Sequence, residues 1–286
     1  MLDMHGVGSS NLPPPIGDPQ RVPGTPCGFF CTKENHSVWG DISLQDPGET
    51  SLSLADLEVR VARRHGVYRI HLDGAVANQL PAIPDGWREV HVGADTRLAI
   101  VPATPDLPVV LKPQEPIAVA PGQSVTYRVA LPVWVRVVTL DRDQRRGARE
   151  ETLLDLPVRT LKRTWFGTAE AGEVGYGWSF LPRAREAHLR HRFSVPLTVH
   201  NGSQSVLWFE RLLLRVVHLD IYRVNAALES NGVTVSFKGS EQLSQITFEP
   251  ASSVSARGGE LLGGHRVSTS QDIIKRSFLW LRDLTT

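Results

Sequence analysis

From about Trp39 to Pro250, apolar residues return at every second position in run after run. In DLEVRVARRHGVYRIHLDG, Leu57, Val59 and Val61 alternate with Glu58 and Arg60. Tyr68, Ile70 and Leu72 then alternate with Arg69 and His71. Successive side chains of a strand point to opposite faces, so this spacing predicts strands with one dry and one wet face. His65-Gly66 and Gly93-Ala94-Asp95 read as tight turns between such strands. PIAVAPGQSVTYRVALPVWVRV reads as a short strand, a Pro-Gly turn and a long strand with Val125, Tyr127 and Val129 on one face. Further on, Val195, Leu197 and Val199 share a face. Asn201-Gly202 predicts a close reversal with positive φ, and Leu212, Leu214 and Val216 the returning strand.

These runs predict a mainly β fold: two antiparallel β-sandwich-like bodies with a short C-terminal helix. Residues 1–38 are expected to form a Pro/Gly-rich extended or disordered arm, because dense proline denies helix and removes ladder donors. Residues 39–140 make the first β domain. Residues 141–151, DRDQRRGAREE, are a charged loop or linker, and 152–286 make the second β domain. The helix is expected in the tail. There Thr269 and Asp272 have capping-box spacing, and Ile274, Phe278 and Leu281 fall on one stripe.

Composition narrows the function classes. With 41% hydrophobic and 21% charged residues, the 286-residue chain has the makings of an ordinary globular core. A net charge of +1 gives no global field for nucleic acid or an anionic membrane, so electrostatic recognition requires a local patch. Cys27 and Cys31, in CGFFC, match neither a CxxC redox motif nor a zinc site, and read as free thiols beside Phe29 and Phe30. The start, MLDMHGVGSSNLPPPIGDPQ, lacks the features of a secretory leader, and no run of 18 apolar residues occurs. The expectation is a soluble, cytoplasmic protein with no cofactor, whose Asn35 and Asn201 sequons carry no glycan.

The best functional candidate is Thr164 to Phe180, where Trp165, Phe166, Tyr176 and Trp178 stand among Gly167, Gly172, Gly175 and Gly177. Glycines allow close backbone approach, and aromatics offer flat apolar contact for a sugar or a base. The plainer alternative is a strand pair with its aromatics in the core. Arg183, Arg185, Arg190 and Arg192 make the densest basic stretch and suggest an anion site, together with Arg142, Arg145, Arg146 and Arg149. The neighbouring Glu150, Glu151 and Glu186 favour a solvated polar loop or face instead. His71 and Asp73 share the wet face of one strand, and Glu89 and His91 that of another. If the two strands pair, these four are candidate metal ligands or an acid–base set. His188 and His191 have the spacing of helix-borne metal ligands without the accompanying helix motif. GGELLGGH, residues 258–265, lacks the Lys-Ser/Thr of a phosphate loop and reads as a loop before the tail helix. No Ser, Cys or Thr stands in a GxSxG context.

The order of segments also carries a likeness. PVWVRVVTL, a charged gap, TLKRTWFGTAEAGEVGYGWSF and VPLTVHNGSQSVLWFERLLLRVVHLDIYR follow one another as in the Domain of Unknown Function 432 family, mainly archaeal with some bacterial members. The chain resembles that family over roughly residues 100–280, while its first 38 residues do not. The resemblance implies a soluble, mostly β prokaryotic protein and brings no functional residues with it. The residues themselves point first to non-catalytic binding of a protein partner or a carbohydrate-like ligand at 164–180. The alternatives are a metal-dependent enzyme using the His/Asp/Glu set, and an anion or nucleic-acid binder using the arginines, with nucleic acid disfavoured by the net charge.

Overall fold

In the computed structural model the alternating runs are strands, numbered β1 to β23 along the chain. The structure describes residues 39–42, 44–77, 80–81, 83–93, 96–141, 151–181, 191–239, 244–268, 272–275 and 278–279. The proline arm with Cys27 and Cys31, the arginines at 142–149, and Arg183, Arg185, His188 and Arg190 lie outside the described residues.

The clearest alternation builds an antiparallel sheet of β2 (Gly48–Leu54), β3 (Leu57–Arg64), β4 (Val67–Asp73) and β5 (Trp87–Val90) in that order. Leu57, Val59, Val61, Tyr68 and Ile70 line its dry face and are all buried. Each contributes about 1.5–3 kcal/mol relative to exposure. The β3–β4 turn has His65 at φ 52° and Gly66 at φ 77°, the twist that a two-residue hairpin requires. The Asp46 carboxylate accepts the N–H of His65 (2.9 Å) and of Gly66 (2.6 Å). The Gly66 N–H above all holds its carboxyl below the ordinary value.

A second antiparallel sheet runs β1 (Gly40–Ile42), β6 (Thr96–Ala103), β10 (Trp134–Asp141), β11 (Glu151–Pro157). The largest centres on β14 (Arg192–Asn201), which pairs antiparallel with β9 (Ser124–Pro132) and parallel with β19 (Val233–Phe237). β14 also meets β18 (Ala227–Ser230), beyond which lie β17 (Ile221–Val224) and β21 (Glu260–Gly263). On the other side β19 leads to β20 (Ser244–Phe248) and β22 (Asp272–Lys275). β8 (Ile117–Val119) and β15 (Leu207–Phe209) form a small ribbon. The last sheet is β12 (Arg163–Gly167), β13 (Gly172–Phe180), β7 (Val109–Pro113), β16 (Arg211–Leu214) and β23 (Phe278–Leu279), with β13 and β7 parallel. One contiguous apolar core draws side chains from all five sheets, among them Val61, Ile100, Val119, Val195 and Leu212.

Three local expectations change. At Asp272–Lys275 the backbone is strand, not helix: Ile273 pairs with Ile246 and Ile274 with Gln245. Two β-branched residues and an available β20 edge outweigh a local stripe whose cap contributes only about 1 kcal/mol. The short helix is α1, Ala251–Ala256. Asn201-Gly202 makes no positive-φ reversal. The Asn201 side chain is buried and donates to the carbonyls of Val119 and Ser205 (2.8 Å each), so the chain leaves β14 toward β15, while Val216 enters a 3-10 turn. Within 258–265, Glu260–Gly263 is strand β21, paired with β17, because an exposed sheet edge offers the backbone hydrogen bonds that a loop would leave to water.

Candidate ligand-binding site

β12 and β13 form an antiparallel hairpin at the edge of the five-stranded sheet, with Trp165 opposite Val174 and Arg163 opposite Tyr176. Gly167 closes the strand at φ +119°, a conformation that side chains resist. Trp165, Gly172, Val174 and Tyr176 share one face. Period-two alternation along each strand puts them there. A Cβ at Gly172 would lie 2.3–2.4 Å from three atoms of the Trp165 indole, so the ring occupies the space that the bare glycine leaves. Its Nε1–H donates to the Thr168 carbonyl (3.1 Å). The indole is therefore seated, its N–H is used, and the residue is still 47% exposed beside Val174, itself exposed.

The other aromatics of the segment are placed differently. Phe166 is buried with Val110 and Leu213. On that side Arg211 donates to Thr164 Oγ1 and the Trp165 carbonyl, and the buried Arg215 donates to Glu173 (2.6 Å). Tyr176 packs with Trp134 and Ala103. Its hydroxyl donates to Asp106 Oδ1 (2.9 Å), and burial, then this carboxylate, push it up to about 12. Trp178 is half-buried, donates to the Ala130 carbonyl, and lies under the guanidinium groups of Arg192 (5.4 Å) and Arg159 (6.0 Å). Of the predicted contact residues, Trp165 is the exposed plate and Gly167 shapes its turn, while Phe166 and Tyr176 are buried and Trp178 is half-buried. Asp106 and Val174 were not singled out from sequence. Asp106 stands 70 residues from Tyr176 in a proline-flanked stretch without periodicity, and nothing local announces the pairing.

The His/Asp/Glu set is divided by register. β4 and β5 do pair, but His71 faces Trp87 and Arg69 faces Glu89. Arg60 donates to His71 Nδ1 (3.3 Å), and Arg69 reaches Asp85 (2.7 Å) and Glu89 (3.4 Å). His91 lies 3.8 Å from Glu89, and Asp73 accepts the Gly74 N–H. Trp87 stands between Arg60 (6.0 Å) and Arg69 (5.6 Å), with the His71 ring 5.3 Å away. Among the described residues no group of three or more His, Cys, Asp and Glu is placed to hold a metal ion.

Of the arginine cluster, Arg192 is described, over Trp178. Beside it, burial, then Arg192 and Arg159, hold His191 below the ordinary imidazole range. Elsewhere, Arg257 joins Glu229 and Glu249, with Arg128 also on Glu229. Burial pushes Glu249 up, but the hydrogen bonds from Arg257 and the Gly232 N–H outweigh it and hold the carboxyl below its ordinary value. Asp220 accepts the N–H and Nδ1–H of His265 (2.7 and 2.8 Å) and the Tyr222 hydroxyl. Among the described residues no helix is long and apolar enough to cross a membrane.

Among known proteins, the chain matches a family described as protein of unknown function (DUF432), over residues 38–282. No curated protein and no solved structure matches the chain.

Proposed function

Because the chain belongs to the family described as protein of unknown function (DUF432), which brings no activity with it, we propose from its surface that it is a non-catalytic binding protein of sandwich-like build, with the tip of the β12–β13 hairpin as its contact surface. The observation that carries this reading is the state of Trp165. Its ring lies against Gly172, its N–H is bonded to Thr168, and the residue is exposed. A large apolar ring already held in one pose binds without losing rotamer freedom, and tryptophan is over-represented among residues that dominate binding energy. Val174 beside it widens the apolar contact. On the opposite face of the hairpin, Arg215 is spent on Glu173.

Hydroxyl-radical footprinting tests the surface without knowing the ligand. Trp165 is expected to oxidise in the purified protein and to be protected in the lysate of cells that make it. Trp208, also exposed, is the internal control. Equal oxidation of Trp165 in both samples, or equal protection of Trp208, would overturn the proposal.

A further inference from the structure

We infer that the hairpin surface takes a neutral carbohydrate, with a sugar ring stacked on Trp165 and its hydroxyls held by Asp106 and Arg163. The inference rests on the reading of that surface as a binding site and names its ligand class. Trp165 and Arg163 are two residues apart on one strand face, about 7 Å. Tyr176 stands opposite Arg163 in the register and gives its hydroxyl hydrogen to Asp106 Oδ1. That bond orients the exposed carboxylate and leaves Oδ2 as an acceptor. Arg163, also exposed, supplies donors only. The hairpin thus carries an apolar plate, with a donor two residues along the same strand face and, across from that donor, a tyrosine that holds the acceptor.

Each part answers to sugar chemistry. A pyranose ring presents a C–H face that stacks on an indole, and hydroxyls at its rim that both donate and accept. A base would stack equally well on the plate. Its phosphates, however, would find Arg163 offset by the exposed carboxylate of Asp106. A balance of charge around a flat ring suits an uncharged, polyhydroxylated ligand.

The test is titration of the full chain with soluble neutral hexasaccharides (cello-, malto-, chito-, xylo- and mannohexaose), followed by tryptophan emission and calorimetry. At least one is expected to bind and shift the emission. Trp165→Ala should abolish that binding. Asp106→Asn should weaken it at least tenfold with the melting temperature unchanged, and Trp87→Phe should leave it intact. Absence of binding by every hexasaccharide overturns the carbohydrate assignment, while Trp165 protection in lysate would still uphold the surface. Binding that survives Trp165→Ala overturns the surface itself. Binding lost in Trp165→Ala but untouched by Asp106→Asn overturns the role given to Asp106.

Discussion

Trp87 and Trp165 occupy comparable positions, each on the outer face of an edge hairpin, and their neighbours give them opposite fates. Trp87 is flanked by Arg60 and Arg69 with His71 beside it, and Arg69 is held in turn by Asp85 and Glu89. Its π-face is already engaged by cations, a contact of about 0.5–1 kcal/mol per pair at exposed sites. Trp165 has a glycine against its indole and stays exposed. An exposed aromatic is a platform only where its own sheet leaves one face free and still fixes its pose. Trp178 makes the same point, since Arg159 and Arg192 cover it.

The contrast breaks most visibly at Phe166, the sequence neighbour of Trp165 on the opposite face. Phe166→Ala should cost about 3–5 kcal/mol in denaturant unfolding, because a buried aromatic leaves a cavity. A cost below about 1 kcal/mol would mean that the two faces are not distinct. Gly172→Ala comes next. Its methyl would strike the indole, so stability should fall by about 1–3 kcal/mol and Trp165 emission should move to longer wavelength as the ring lifts off. Unchanged emission would contradict the seat.

Trp87→Ala removes a ring with three partners and should cost about 1–2 kcal/mol, more than Trp165→Ala, which should stay within about 1 kcal/mol. The reverse order would sink the comparison. The smallest effect concerns pH. Asp46 has its carboxyl depressed in the folded state, so its contribution is complete above the ordinary value of 3.8 and fades as pH falls through the folded value. Glu249 acts in the same direction, so the comparison is between wild type and Asp46→Asn. Melting temperature should fall less steeply from pH 5 to pH 2 in the variant, and identical profiles would contradict the Asp46–turn contact.

Much of the fold was legible because period two is a local signal. The dry face of β3 and β4 and the His65-Gly66 hairpin follow from neighbouring residues alone. Tail and turn were misread where distant partners decide: β20 recruits Asp272–Lys275, and Val119 takes the Asn201 side chain. The hairpin stood out in sequence through its aromatic and glycine content. Which of its aromatics face water depended on Trp134, Leu213 and Arg192, none of them local. The four His/Asp/Glu candidates were separated by register, a property of pairing that no single strand discloses.

The most direct measurement is ¹⁹F NMR of 5-fluorotryptophan-labelled protein, with the Trp165 resonance assigned by Trp165→Phe. A ring seated on Gly172 and exposed to solvent gives a broad signal with fast transverse relaxation that shifts between H₂O and D₂O. A narrow signal from a freely turning ring, or one blind to the solvent isotope, would contradict the platform.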